Sequence, residues 1–260
     1  MANRREQGRH YVPFVIIAII GLIWALAIRD QYLEYGDNLE LSPTTLTLKK
    51  DTPTKVASSP NRSPITAQPP EGLPVGRLPL KVPFTTQAPA AVWDPLHEEA
   101  CEEASLLMVY YYRTGQKFAS PVEADAQIKK LVTWQEVNGY KVDLTAEELV
   151  AVAAGYLKLK SGRVIDNPTV DQLKAELDAG RPLIVPAAGR LLSNPYFTPP
   201  GPIYHMLVLK SYDQTGFIVN DPGTRRGESY HYSFDRIMTA MHDWDPDNIL
   251  NGQKAVVVFD

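Results

Sequence analysis

YHMLVLKSYDQTGFIVND, residues 204–221, holds two short apolar runs separated by a polar turn. The first, 204–209, is aliphatic and aromatic except for His205; the second, 216–220, reads GFIVN. Runs of this length, rich in β-branched and aromatic side chains, are strands rather than helices. The Asp213-Gln-Thr-Gly216 segment between them has hairpin composition, so the two strands pair antiparallel. The start of one then lies beside the end of the other, which brings His205 and Asp221 together. Residues 182–185 (PLIV) and 255–259 (AVVVF) supply further strands of the same sheet.

Upstream of the hairpin the pattern is helical. Residues 95–116 contain a helix whose apolar part is ASLLMVYYY, 104–112, closed by Gly115. Ser120-Pro-Val-Glu123 has the form of a capping box with Pro at the first helical position, opening a helix to about Trp134. Thr145-Ala-Glu-Glu148 opens another that ends near Gly155, and Thr169-Val-Asp-Gln172 a fourth that Gly180 stops. Helices first and strands later make an α+β fold, helices packed on one antiparallel sheet.

The folded unit is expected over 79–260, and what precedes it has a different composition. Residues 12–28 form a run of 17 without a charge, VPFVIIAIIGLIWALAI, preceded by Arg4, Arg5 and Arg9. That length is at the lower edge for a membrane-spanning helix, and the flanking arginines put residues 1–11 in the cytoplasm. The rival is a cleaved signal peptide with Ala25-Leu26-Ala27 as the cleavage site, but the run is longer than a typical signal core. Both readings export the rest of the chain, leaving it anchored in the cell membrane by a single pass or, if cleaved, secreted. Residues 29–78 are rich in Pro, Ser and Thr, with no aromatic residue between Tyr35 and Phe84, and read as a disordered linker.

The chain has 26 Lys plus Arg against 30 Asp plus Glu, a formal charge of −4, which argues against a nucleic-acid partner. The single Cys among 260 residues excludes an intramolecular disulfide and any multi-cysteine metal site. Cys101 is therefore either a buried small hydrophobe or a reactive thiol. It sits in HEEACEEAS at the start of a helix, where the macrodipole and unpaired backbone N–H groups favour thiolate. With His205 as base and Asp221 as its orienting carboxylate, Cys101 gains the company of a nucleophile. Gln87, 14 residues earlier, is a candidate hydrogen-bond donor to a developing oxyanion, together with the N–H of Cys101. His97-Glu-Glu-Ala-Cys101 has the outline of a zinc motif but no third ligand follows, so neither metal nor cofactor is expected.

Four blocks, VPFTTQAPAAVWD, HEEACEEASLLMVYYY, YHMLVLKSYD and IVNDPGT, together resemble the exported bacterial relatives of the bacteriocin-processing, double-glycine cysteine peptidases. The resemblance covers about 80–260 and implies a papain-like fold. It also implies Gln87 as oxyanion-hole residue, Cys101 as nucleophile, His205 as general base and Asp221 as orienting residue. The family's commoner Gly-Pro after the nucleophile is replaced here by Glu102-Glu103, which helical spacing turns away from the thiol. His205, as imidazolium, is then the expected partner of the thiolate. The function implied is a membrane-anchored extracytoplasmic cysteine peptidase acting on peptide or protein substrates. A catalytically inactive envelope binding module, or a peptidoglycan endopeptidase or acyltransferase of related fold, are the alternatives. Residues 79–260 carry 17 basic and 23 acidic side chains, which by itself suggests basic or neutral peptides as substrates.

Overall fold

The computed structural model describes residues 79–260. The expected N-terminus (1–11), anchor (12–28) and linker (29–78) lie outside the described residues. Among the described residues, no helix is long and apolar enough to cross a membrane.

The described residues open with helices α1 (Pro95–Glu98), α2 (Cys101–Thr114), α3 (Pro121–Val137) and α4 (Ala146–Gly155). Strand β1 (Gly162–Asp166), helix α5 (Val170–Asp178), strand β2 (Leu183–Ala188) and the one-turn helix α6 (Gly189–Leu192) follow. The last part comprises β3 (Tyr204–Tyr212), β4 (Gly216–Asn220), β5 (Tyr230–Ser233), α7 (Phe234–Ala240) and β6 (Ala255–Phe259). The six strands form one antiparallel sheet in the order β1-β6-β2-β3-β4-β5. The fold is thus α+β, as the sequence pattern requires.

Strand alternation distributes the apolar residues of β3 to both faces. Tyr204, Met206 and Val208 join Leu106, Met108, Leu131 and Leu149 of α2–α4 in one core cluster. Leu207 and Leu209 join Leu173 and Leu177 of α5 and Ile237 of α7 in the other. Each buried leucine of this kind contributes roughly 1.5–3 kcal/mol of transfer free energy. The hairpin turn forms as predicted. Asp213 Oδ1 accepts the N–H groups of Thr215 and Gly216, and the N–H of Asp213 donates to the Gly216 carbonyl.

β3 and β4 have unequal lengths. β4 stops at Asn220, opposite Val208, so the 204–207 end of β3 projects beyond it. The N-terminal segment fills the adjoining edge. The N–H of Leu80 donates to the Lys210 carbonyl, Asn220 Nδ2 to the Val82 carbonyl and the N–H of Gln87 to the Pro222 carbonyl. Helix α2 lies against β3, and Ser105 Oγ donates to the Met206 carbonyl.

Candidate active site

The first residue of α2 is Cys101. Asp94 caps α1 by accepting the N–H of His97, and Pro95 supplies the first helical position. α1 breaks after Glu98, and α2 restarts at Cys101 behind Ala100, which provides no side-chain cap. Ala100 leaves the N–H of Cys101 without a side-chain cap, while the N–H groups of Glu102 and Glu103 meet their own carboxyl groups.

Cys101 is buried, 5% exposed. Its Sγ–H donates to Glu102 Oε2 at 2.9 Å, and Sγ accepts the N–H of Met206 at 3.3 Å. Among the described residues no hydrogen bond joins Sγ to His205. The Sγ–Glu102 bond corrects the expectation that Glu102 turns away from the thiol, while Glu103 lies toward Gln135 of α3. No continuous helix runs in from His97; both residues sit in the first turn of a helix that begins at Cys101, and both are buried. Glu102 Oε1 accepts the N–H of Leu144 at 3.3 Å, so its carboxyl bridges the thiol and the loop ahead of α4. Gln135 of α3 lies near Glu103 and partly offsets the cost of its burial, yet neither Gln135 Nε2 nor Glu103 Oε2 makes a hydrogen bond of good geometry.

Burial, and next the neighbouring Glu102 carboxylate, push the Cys101 thiol well above its ordinary range, against the Met206 N–H. Burial, reinforced by Glu103, raises Glu102 well above the carboxylate range, and burial moves Glu103 up to about 7. The resting thiol is consequently a thiol, not a thiolate.

On the other wall, His205 Nε2 lies 2.8 Å from Asp221 Oδ1, and both side chains are almost completely buried. Asp221 Oδ1 also accepts the N–H of Gly223 at 3.0 Å. Oδ2 accepts Tyr232 Oη–H at 2.8 Å and Asn194 Nδ2–H at 3.1 Å. Burial alone would raise this carboxyl; the charge of His205 and the bonds from His205, Tyr232 and Gly223 outweigh it and hold Asp221 below its usual value. An anionic Asp221 assigns a proton to Nε2 and leaves Nδ1 free for exchange with substrate or thiol. The Phe197 ring packs edge-on against the imidazole, centroids 5.3 Å apart. Gly223 is required here, since a Cβ would meet Phe197 Cε1 at 2.8 Å and His205 Cε1 at 2.9 Å.

Gln87 reaches the same region but is otherwise engaged. Its Nε2 donates to the carbonyls of His97 (2.9 Å) and Glu98 (2.8 Å), the orphan acceptors at the end of α1. Both amide hydrogens are spent there, and the buried Oε1 has no partner. The expected donation to an oxyanion is not what this geometry contains. His97, the would-be zinc ligand, has Nδ1 2.7 Å from Asp94 Oδ1 and Nε2 2.7 Å from Asp125 Oδ1, with Lys129 on the far oxygen of Asp125. It staples the segment before Cys101 to α3.

The structure thus joins His205 to Asp221 as the hairpin reading requires, seats Cys101 on the residue following His205, and ties Gln87 to the approach to Cys101. Asn194, Tyr232 and Phe197 escaped sequence reasoning. Tyr232 lies in the alternating stretch Tyr230-His-Tyr-Ser233, which has the period of a strand; Asn194 and Phe197 lie in a loop with no comparable signal.

The sequence model of the peptidase C39-like family matches residues 79–248. No curated protein matches the chain. Among solved structures, a Bacillus anthracis protein described as a C39-like peptidase is similar at a TM-score of 0.46 and 14% identity, over 69% of this chain and 94% of that one.

Proposed function

Since the chain belongs to the peptidase C39-like family, we propose that it is a cysteine peptidase in which Cys101 attacks the peptide carbonyl, His205 exchanges protons and Asp221 orients His205. The observation that carries this reading is the buried 2.8 Å His205–Asp221 pair, set one residue from the N–H that contacts the Cys101 sulfur.

The reaction is acyl transfer. The thiol proton passes to His205 Nδ1, the C–S bond forms, and the carbonyl π electrons move to oxygen. That oxyanion is received by the N–H of Cys101 at the start of α2. Collapse breaks the C–N bond, and imidazolium Nδ1–H protonates the departing amine. Water, deprotonated by His205, then cleaves the thioester and restores the thiol. Glu102 modifies the first step: a carboxylate beside the sulfur opposes a thiolate, whereas the carboxylic acid donates a hydrogen bond to it. The attacking form therefore holds Glu102 protonated. Gln87 acts as a positioning residue, fixing the α1 carbonyls away from the oxyanion.

We further propose an extracytoplasmic, membrane-anchored location, supported by the apolar run 12–28 and the arginines before it. Protease accessibility in intact cells and spheroplasts tests it; protection of residues 79–260 from external protease in spheroplasts contradicts it.

One observation favours a second reading, a non-catalytic binding module: the thiol is buried on Glu102 while both N–H groups of Gln87 are spent on carbonyls. Incubating the full chain with a mixed peptide library from pH 5 to 8, with products followed by mass spectrometry, separates the two. The peptidase reading predicts cleavage by the wild type and none by Cys101→Ala. Absence of cleavage, or equal cleavage by both, supports the module instead.

A further inference from the structure

Loop 189–201 lines an open cavity of about 280 Å³ that the reaction above does not use. Arg190, Ser193, Asn194, Phe197, Pro199 and Pro200 are among its walls, and the lining contains no carboxylate. Three walls touch the His205–Asp221 pair. Asn194 donates to Asp221, Phe197 packs on the imidazole, and Gly189 lies so close that a Cβ there would be 3.1 Å from His205 Cβ.

The loop is also a meeting point of exposed arginines in a domain whose charge is otherwise acidic. Arg190 lines the cavity. The Arg226 guanidinium stacks 4.7 Å from the ring centroid of Tyr196, and Arg236 Nη1 donates to the Leu191 carbonyl and Ser193 Oγ at 2.9 and 3.2 Å. Among the described residues, none of the three arginines forms an ion pair. Around Cys101 the balance is opposite, with Glu98, Glu99, Glu102, Glu103 and Asp143 near the α2 start and the loop before α4. The three arginines thus put exposed positive charge beyond the imidazole, while burial pushes Glu102 and Glu103 beside the thiol toward their neutral forms.

We propose that this cavity is a subsite for an acidic side chain on the leaving-group side of the scissile bond, with Arg190 as its specificity-determining cation. The inference rests on the peptidase reading. The leaving amine must approach His205 to receive its proton, so the residues following the cut pass the walls that touch His205. Complementary potential there selects and steers the substrate. The general preference for basic or neutral peptides, expected from the net charge, then applies only to the acyl side.

The test takes a peptide that the full chain cleaves and varies the first two residues after the cut as Glu, Gln or Lys, with the C-terminus as acid or amide. The expected result is a kcat/KM roughly fivefold higher for Glu than for Gln, the size of one solvent-exposed ion pair, carried by KM and weakened by salt. Lys peptides fall below Gln, and Arg190→Glu inverts the order. Arg190→Gln, at the same exposed position, levels it without reversing charge. Equal turnover of the three peptides, or an order unchanged in Arg190→Glu, overturns the proposal. A preference that follows the C-terminal carboxylate and not the side chain also overturns it. If no peptide is cleaved, the peptidase reading fails on its own account. The cavity is then tested by fluorescence anisotropy of a labelled Glu peptide on Cys101→Ala, where binding no tighter than that of the Lys peptide overturns it.

Discussion

Cys101 Sγ has two polar partners, and they act on its proton in opposite directions. The N–H of Met206 favours thiolate, while the Glu102 carboxylate holds the proton on sulfur. Glu102→Gln removes the charge and keeps the shape, so its iodoacetamide alkylation profile is expected to move to lower pH than that of the wild type. An unmoved profile means that Glu102 serves only to hold Leu144. Asp221 is a second residue-scale determinant. Tyr232→Phe removes one of two donors to Oδ2 of the fully buried Asp221, and is expected to cost roughly 1–3 kcal/mol in thermal or urea unfolding and to lower kcat with little change in KM. The His205–Asp221 meeting was legible because a hairpin turn fixes which strand ends are neighbours. The Glu102 orientation was not, because it depends on where the helix begins, and a local break at Glu99-Ala100 leaves no composition signal.

At the scale of elements, the cysteine is placed by a discontinuity. A helix running unbroken from Pro95 would have put His97 on the thiol's face; α1 ends instead, and Gln87 and His97 stabilise the ends the break exposes. Gln87→Ala leaves two carbonyls without donors and is expected to lower stability by roughly 1–3 kcal/mol, read as a reduced melting temperature. If that variant melts like the wild type but loses turnover, Gln87 acts on the oxyanion and not on α1. The capping boxes at Thr145 and Thr169 are complete in the structure, since each needs only local residues. That at Ser120 is half formed, because Glu123 turns to the hydroxyl of Tyr111 at 2.7 Å. Strands β2, β3, β4 and β6 were legible from their apolar runs. The edge strands β1 and β5 were not, as each is only partly buried and carries charged or polar residues. Asp243 accepts the N–H of Ala146 at the start of α4, a contact 97 residues away in sequence that no local pattern announces.

For the whole molecule, the buried acids make stability depend on pH with a definite sign. The folded pKa values of Glu103 (about 7) and Asp143 (about 6) lie above their ordinary values of 4.5 and 3.8, and Glu102 is raised as well. Between the ordinary and folded values the folded state binds more protons than the unfolded one, so stability falls as pH rises through about 4–7. Asp221 acts in the opposite sense, but only at and below the ordinary carboxylate range, because its folded value is lowered. The melting temperature is expected to be higher at pH 5 than at pH 8, and Glu103→Gln to flatten that difference; a melting temperature that rises with pH contradicts this assignment. The central claim is that Cys101 is a nucleophile driven by His205. It is tested most directly by the rate at which a peptide carrying an electrophilic carbonyl forms a covalent adduct, located by mass spectrometry. The prediction is a single adduct on Cys101 whose formation slows by at least about 10²-fold in His205→Ala; equal rates in the two proteins, or no adduct in the wild type, would contradict it.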